Sequence, residues 1–170
     1  PTTLPAEDLS KILDELCYPV TEFTVECGRP DTITKEKLDV LKAHGVTRIC
    51  INPQSFNDKT LKQIGRGHTT KDIISAYALA LGYDFVINMD LIAGLPGEKF
   101  AHFKKTIDST IELAPQNITI HTLALKNGAM LKTQNETNHF DADIEKMVDY
   151  GYKKMCENGY LPYYMYRQKS

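Results

Sequence analysis

Residues 85–114 of the chain read FVINMDLIAGLPGEKFAHFKKTIDSTIELA. The run Phe85–Ile92 is rich in apolar and β-branched residues, which is typical of a buried strand. From Phe100 onward, apolar residues recur every three or four positions until Pro115, which predicts an amphipathic helix that ends there. A strand followed so closely by a helix predicts one strand–helix unit of a parallel sheet.

The same strand–helix unit recurs along the chain. Further strand runs are Glu22–Cys27 (EFTVEC), Arg48–Ile51 (RICI) and Asn117–Leu125 (NITIHTLAL). Helical patterns lie at Lys35–His44, Thr70–Leu81 and Ile144–Met155, and one more precedes the first strand at Leu9–Leu16. The predicted order is one helix and then four strand–helix pairs, with Thr70 as the cap of the helix that ends at Gly82. This alternation predicts right-handed crossovers and a parallel sheet.

The predicted fold class is therefore α/β, in the form of a partial (β/α) TIM-like barrel with parallel strands that is truncated at both ends. The chain begins with a helix, and its tail, residues 160–168 (YLPYYMYRQ), looks like the start of another strand. No linker or low-complexity segment divides residues 1–170. We therefore expect a single domain that forms the central part of a larger barrel.

Charge and cysteine content limit the possible partners. The 170 residues carry 20 basic and 22 acidic side chains, a formal net charge of −2, which favours a small ligand over nucleic acid or an anionic membrane. No apolar run is long enough to span a bilayer and no signal segment begins the chain, so we expect a cytoplasmic protein. The four cysteines and five histidines lack metal-ligand spacing, and we assign none of them to a metal.

Polar side chains occur at the carboxyl ends of the predicted strands, where parallel α/β proteins bind their ligands. Glu26 ends the first strand, Gln54 follows the second and Asp90 lies in the third. Residues two apart share a face of a strand, so Asn52 is expected to point with Gln54, and Asn88 with Asp90. Because a carboxylate can accept hydrogen bonds from both vicinal hydroxyls of a ribose, the pattern favours a polyhydroxylated ligand.

Each of these side chains also has a purely structural interpretation. Asp90 could be neutralised by Arg48 or by a helix amino terminus, since a buried carboxylate needs a partner. His121, in the fourth strand, could line the barrel interior with a hydrogen bond to a neighbour. Arg66 lies on a flexible glycine turn, Gly-Arg-Gly. A guanidinium there is suited to a ligand carboxylate or phosphate, or it is a solvated loop cation.

Four segments together resemble one known family. They are VECGRPDTIT (25–34), INPQSFNDKTLKQIGRGHT (51–69), NMDLIAGLPGE (88–98) and YYMYRQK (163–169). In this order they resemble the oxygen-independent coproporphyrinogen III oxidases, also called coproporphyrinogen dehydrogenases, of the radical S-adenosylmethionine superfamily. The likeness covers nearly the whole chain from about residue 20 onward.

The resemblance implies a barrel that holds S-adenosylmethionine at its mouth, with a [4Fe–4S] cluster as the second cofactor. Carried over by motif, Glu26 and Gln54 contact the nucleoside or methionine part, Asp90 a ribose hydroxyl pair, Arg66 the methionine carboxylate, and Ala124 the adenosine. The implied reaction is the oxidative decarboxylation of coproporphyrinogen III propionates to vinyl groups, which gives protoporphyrinogen IX in haem biosynthesis. The implied partners are a porphyrinogen substrate and an electron donor, and no catalytic residue is assigned.

One family feature is absent from this sequence. The family holds its cluster with a Cys-x-x-x-Cys-x-x-Cys loop, and the four cysteines here do not form that pattern. We expect the loop to lie upstream of Pro1, which would leave the isolated chain inactive. A haem-binding chaperone of the same superfamily branch is the alternative function. Self-association through the open edges of a truncated barrel is also expected.

Overall fold

The computed structural model describes residues 1–16, 19–123 and 140–163, with the backbone alone at 140–142. At its centre is a sheet of four parallel strands in the order β1-β2-β3-β4. The strands are Thr24–Gly28 (β1), Arg48–Gln54 (β2), Val86–Ala93 (β3) and Asn117–Thr122 (β4). Strands that are consecutive in the chain are neighbours in the sheet, and helices connect them. The predicted parallel α/β fold is confirmed.

Six helices and one 3₁₀ turn, Pro30–Thr32, lie within the described ranges. The helices are Ala6–Asp14 (α1), Lys35–Ala43 (α2), Asp58–Gln63 (α3), Thr70–Leu81 (α4), Phe100–Leu113 (α5) and Phe140–Glu157 (α6). The sequence did not predict α3, because six residues are too few for a clear helical period. Over the described residues, no helix combines the length and the apolar character that crossing a membrane requires.

The cap of α4 corrects one prediction. The N-cap is Thr69 and not Thr70: the Thr69 side chain accepts a hydrogen bond from the Asp72 amide, and the Asp72 carboxylate accepts one from the Thr69 amide. The Thr70 hydroxyl instead donates to Asp58 Oδ1 at 2.7 Å, which ties the start of α4 to the start of α3. Adjacent threonines cannot be distinguished as caps from sequence alone, because both side chains can accept the amide hydrogen bond.

Helices cover one face of the sheet, which we call the outer face. Val25, Ile49 and Ile87 are register partners on β1, β2 and β3, and each is at most 5% exposed. They pack against apolar side chains of α1, α2 and α4: Leu9, Leu38, Leu41, Ile73 and Ala76. A second cluster joins the end of β3 to α5 and α6 through Leu91, Ala93, Phe103, Ile107 and Met147. Because strand residues alternate, the residues between these apolar ones lie on the opposite face, which we call the inner face.

The two outer strands of the sheet support a prediction about association. Among the described residues, β1 and β4 each pair with a strand on one side only. An unpaired strand edge can pair with another copy of the chain, so light scattering is expected to give a mass above the 19.2 kDa of one chain. A lysine in place of Thr122, which is exposed at the end of β4, should reduce that mass. A single monomeric mass at high concentration would contradict the prediction.

Candidate functional site

The inner face carries a continuous row of polar side chains across the strands. Glu26 on β1 is the register partner of Cys50 on β2, and Cys50 is the register partner of Asn88 on β3. Two residues further along β3, Asp90 lies opposite Thr119 on β4. The parallel sheet therefore brings Glu26 and Asp90 to one face, although they are far apart in the chain.

Hydrogen bonds from neighbouring residues hold the Asp90 side chain. Asn88 Nδ2 donates to Asp90 Oδ1 at 2.7 Å, and Thr119 Oγ1 donates to Asn88 Oδ1 at 3.0 Å. His121 Nε2 lies 3.9 Å from Asp90 Oδ1. Burial raises the pKa of Asp90 above its usual range and Glu26 raises it further, while the Asn88 hydrogen bond and the His121 charge oppose this.

Arg48, one of the two neutralising partners considered for Asp90, lies elsewhere. Its guanidinium pairs with Glu22 at 3.3 Å, at the start of β2. That structural interpretation of Asp90 was therefore wrong, and the nearest partners of its carboxylate are an amide and a histidine on the inner face. An ionised carboxylate has about four acceptor positions, so Asp90 retains capacity for ligand hydroxyls.

Cys50, between Glu26 and Asn88, is not suited to nucleophilic or metal chemistry. Its side chain is buried, and burial together with a hydrogen bond to Glu26 raises the pKa of the thiol to about 12. The thiolate is the form that attacks carbon and binds metals. At neutral pH Cys50 is therefore protonated and serves as part of the wall of the inner face.

Gln54 ends β2 with a backbone conformation that few residues other than glycine adopt. Its φ is 67°, in the left-handed region, which costs an ordinary residue roughly 1–2 kcal/mol. The β2–β3 register also shifts between Ile51 and Gln54, so the strict alternation expected for Asn52 and Gln54 does not hold. Both Gln54 Oε1 and Asn52 Oδ1 are buried without a hydrogen-bond partner. A buried unpaired acceptor costs about 1–3 kcal/mol, so this strand end is suited to a ligand that carries donors.

Arg66 lies on a turn that is more firmly held than its glycines suggest. The Arg66 amide donates to the Leu61 carbonyl at 2.9 Å, and His68 Nε2 lies 3.2 Å from the Pro53 carbonyl oxygen. His68 is buried, and burial lowers the pKa of its imidazole, which favours the neutral ring. The sequence predicted a flexible turn, whereas these contacts attach it to the end of β2 next to Gln54.

The guanidinium of Arg66 has no ion-pair partner within 4.0 Å in the part of the chain that the structure describes. Burial and the nearby positive charge of Arg29 lower the pKa of Arg66, and the negative charge of Asp31 opposes this. A half-buried cation without a paired acid is suited to an anionic ligand group. The alternative of a fully solvated loop cation does not agree with this burial.

Glu98 is a buried acid whose position the sequence did not predict. Ser55 Oγ donates to Glu98 Oε1 at 2.5 Å, and Glu98 Oε2 is buried without a partner. Thr106 of α5 accepts a hydrogen bond from the Phe56 amide at 3.0 Å, close to Ser55. These contacts join the loop after β3 to the loop after β2, both of which border the site. Burial raises the pKa of Glu98.

The raised pKa of Glu98 predicts a pH dependence of stability. Because the folded-state pKa lies above the unfolded-state value, the folded protein binds the proton more tightly, and stability falls as pH rises through the interval between the two pKa values. Glu98→Gln should remove this loss of stability, because glutamine does not titrate in this range. The free energy of unfolding measured by urea titration from pH 4 to pH 8 should therefore decline less in the variant. Parallel curves for the two proteins would contradict the prediction.

A cleft of about 930 Å³ lies between β4 and α6; Gln54 and Arg66 do not line it, but Thr119 and His121, which neighbour Asn88 and Asp90, do. Its walls are largely apolar and include Ile118, Ile120, Val148, Tyr152 and Met155. It follows the edge of β4 that has no paired strand among the described residues. An apolar groove along a strand edge is a packing surface, so we do not place the ligand there. Ala124, which was expected to contact the adenosine, is outside the described residues.

Fold and site together define a parallel α/β protein of the (β/α)-barrel type with polar residues at the carboxyl ends of its strands. Residues 1–110 match the radical SAM superfamily. The oxygen-independent coproporphyrinogen-III oxidase-like protein HemZ of Bacillus subtilis is 41% identical over 100% of this chain and 36% of the relative. The heme chaperone HemW of the same organism is 33% identical over 74% of this chain and 35% of the relative.

The structural comparison agrees with the sequence comparison. Coproporphyrinogen III oxidase (HemN) from Escherichia coli, a radical SAM enzyme, matches with a TM-score of 0.81 and 24% identity over 95% of this chain and 39% of that chain. The chain belongs to the radical SAM superfamily, and its fold is a fragment of the TIM-like barrel seen in HemN. It spans about a third of the length of the curated relatives that it matches.

Membership of the superfamily implies two cofactors, and the residues present fit only one of them. The unpaired Gln54 Oε1, the unpaired Arg66 and the Asp90 carboxylate suit the amino, carboxylate and hydroxyl groups of S-adenosylmethionine. No group of three potential metal ligands occurs among the described residues, and the whole sequence lacks the cluster motif. The described residues therefore do not form a site for the [4Fe–4S] cluster.

Proposed function

We propose that this chain is the S-adenosylmethionine-binding part of an oxygen-independent coproporphyrinogen III oxidase-like protein. The observation that carries the proposal is the buried, unpartnered Gln54 Oε1 at the carboxyl end of β2, beside a parallel row of polar residues. In this proposal the ligand lies at this edge of the sheet and supplies the missing donor. The 41% identity to a coproporphyrinogen-III oxidase-like protein supports the choice of ligand and of reaction.

Each polar residue of the site has a role in this proposal. Asp90, held by Asn88, accepts hydrogen bonds from the two ribose hydroxyls. Arg66 binds the methionine carboxylate through its guanidinium. Glu26 and Gln54 accept hydrogen bonds from the nucleoside or from the methionine amino group. Ala124 is proposed to contact the adenosine, on the basis of its motif alone.

The proposed reaction of the whole protein is the conversion of two propionate side chains of coproporphyrinogen III to vinyl groups. Each propionate loses carbon dioxide, one hydrogen atom and one electron, so an electron acceptor and a route for cofactor reduction are also required. S-adenosylmethionine, reduced at a cluster held by other residues, supplies the hydrogen-abstracting chemistry. The residues described here bind and orient that cofactor and exclude water from it.

Calorimetric titration of S-adenosylhomocysteine into the chain tests the proposal directly. This compound carries the ribose, adenine and aminocarboxylate of the cofactor but is not cleaved. We expect a single binding site, because the inner-face row and Arg66 are formed by residues of this chain. Absence of heat and of any shift in melting temperature at millimolar ligand would contradict the proposed function.

A haem chaperone is the second candidate function, favoured by the 33% identity to the heme chaperone HemW. The two functions differ in what happens to the tetrapyrrole. A longer form that includes a cluster loop should, under reduction and without oxygen, convert coproporphyrinogen III to protoporphyrinogen IX if the first proposal holds. Tight haem binding seen in the absorption spectrum, without conversion, would favour the chaperone.

A further inference from the structure

We propose that Arg29 is a positioning residue, which keeps Arg66 available to an anion by holding Asp31 away from it. The inference rests on the proposed function, in which Arg66 binds the carboxylate of S-adenosylmethionine. It concerns a short-range competition inside the protein: Asp31 and the ligand carboxylate are alternative partners for one guanidinium. Arg29 decides that competition in favour of the ligand.

The first observation is the geometry of the Arg29–Asp31 pair. Arg29 Nε donates to Asp31 Oδ1 at 3.0 Å, and the terminal Nη2 of Arg29 donates to Asp31 Oδ2. Both carboxylate oxygens are thus engaged by one guanidinium, which is the strongest arrangement available to this pair of side chains. The pair is partly shielded, with the Asp31 side chain 26% exposed. The hydrogen bonds from Arg29 lower the pKa of Asp31, so Asp31 is charged at neutral pH.

The second observation is the surroundings of Arg66. Among the described residues, Asp31 is the acid whose charge acts on Arg66, and Arg29 is the base that acts on it. His68 Nδ1 lies 4.0 Å from Asp31 Oδ1, and burial keeps this imidazole neutral. Both hydrogen bonds to the Asp31 carboxylate thus come from Arg29, while Arg66 has no ion pair with Asp31 within 4.0 Å. Of the three charged residues Arg29, Asp31 and Arg66, Arg66 is the one without an ion-pair partner among the described residues.

The third observation is the position of Gly67. A Cβ atom built at Gly67 would lie 3.0 Å from Arg29 Nη2 and 3.6 Å from Asp31 Oδ2. The Arg29–Asp31 pair thus lies directly against the backbone of the turn that carries Arg66, and a Cβ atom at residue 67 would require the Arg29 guanidinium to shift by a few tenths of an ångström. Arg66 immediately precedes Gly67 in the chain, so the residue that follows it packs against the Arg29–Asp31 pair.

The proposal predicts a distinctive pattern of ligand affinities. Arg29→Met removes the donors but keeps an extended side chain, so Asp31 becomes free to pair with Arg66. Affinity for S-adenosylhomocysteine should fall about tenfold, since the ligand carboxylate must now displace an internal one. Affinity for 5′-methylthioadenosine, which has the same nucleoside and sulfur but no carboxylate, should not change. The double variant Arg29→Met with Asp31→Asn should restore the affinity for S-adenosylhomocysteine, because the competing charge is gone.

Two further variants, Arg66→Gln and Arg48→Gln, show which claim fails if the expected pattern of affinities is not found. Arg66→Gln tests the role assigned to Arg66: if it leaves S-adenosylhomocysteine binding unchanged, Arg66 does not bind the carboxylate and the inference about Arg29 fails, whereas the proposed function itself fails only if the unaltered chain does not bind S-adenosylhomocysteine. If Arg66→Gln weakens binding but Arg29→Met does not, or if the double variant is not rescued, only the inference about Arg29 is overturned. Arg48→Gln, which breaks a different arginine–acid pair, is the matched control and should bind both ligands normally. Equal melting temperatures among the variants exclude unfolding as the cause of a weaker affinity.

Discussion

Alanine in place of Asp90 is expected to weaken the binding of S-adenosylhomocysteine by roughly 1.5–3 kcal/mol. This corresponds to about a 10- to 150-fold rise in the dissociation constant. The physical reason is the loss of a carboxylate that Asn88 and Thr119 hold in position to accept from two hydroxyls. Calorimetric titration of the chain and of the variant measures the effect. The folded state should not suffer, because burial disfavours the charged form of Asp90.

The choice of ligand separates the role of Asp90 from that of Arg66. Binding of 5′-methylthioadenosine should weaken to the same degree in Asp90→Ala, since this ligand retains both ribose hydroxyls. Glu112→Ala, which removes an exposed acid from α5 on the outer side of the sheet, is the control and should bind like the unaltered chain. If Asp90→Ala is folded and binds with unchanged affinity, Asp90 is not part of the site.

Methionine in place of Gln54 should change stability and affinity in opposite directions. Gln54 Oε1 is buried without a partner, and relief of one unsatisfied acceptor is expected to raise the free energy of unfolding by about 1–3 kcal/mol in the ligand-free chain. Methionine has nearly the same length and can fill the same space. The affinity for S-adenosylhomocysteine should fall at least about tenfold, because the ligand loses an acceptor.

Gln116 provides a matched contrast for Gln54. Gln116 Oε1 accepts a hydrogen bond from the Ile87 amide at 2.9 Å, so this acceptor is satisfied in the ligand-free structure. Gln116→Met should therefore lower the free energy of unfolding by about 1 kcal/mol and leave ligand binding unchanged. Urea unfolding gives the stabilities of both variants. A loss of stability in Gln54→Met similar to that in Gln116→Met would mean that Gln54 serves the fold and not a ligand.

Much of the fold could be predicted because this sequence has clear apolar, β-branched strand runs and a clear three- to four-residue spacing of apolar residues in its helices. Alternating strand and helix patterns gave the order of elements, and the structure has the same parallel sheet. What was missed depends on contacts between distant residues or on segments too short to show a period. The helix α3 was missed because its six residues are too few to show a period. The choice of Thr69 over Thr70 as a cap was missed because it depends on contacts within the folded chain.

The candidate site shows the same limit. That Asn88 and Asp90 share a face follows from counting along one strand and was predicted from the sequence, and the structure has both on the inner face. The partner of Asp90 cannot be found by counting along one strand, because it depends on the register between strands. For this reason Arg48 was wrongly considered as that partner. Arg29 went unnoticed for a similar reason: its relevance comes from Asp31 and Gly67, which the turn after β1 and the turn after α3 bring together. The sequence shows only that Arg29 and Asp31 lie two residues apart after Cys27, and not that they contact Gly67.

The division of β3 into an apolar outer face and a polar inner face has a consequence for how the strand tolerates change. Ile87, Met89 and Leu91 are fully buried under helices, while Asn88 and Asp90 alternate with them on the other side. A substitution scan along β3 should therefore affect folding and ligand binding at alternating positions. The yield of folded protein in the cell should drop for substitutions at Ile87, Met89 and Leu91. Retention on an immobilised nucleoside should drop for substitutions at Asn88 and Asp90. The two profiles along the strand should thus be offset by one residue.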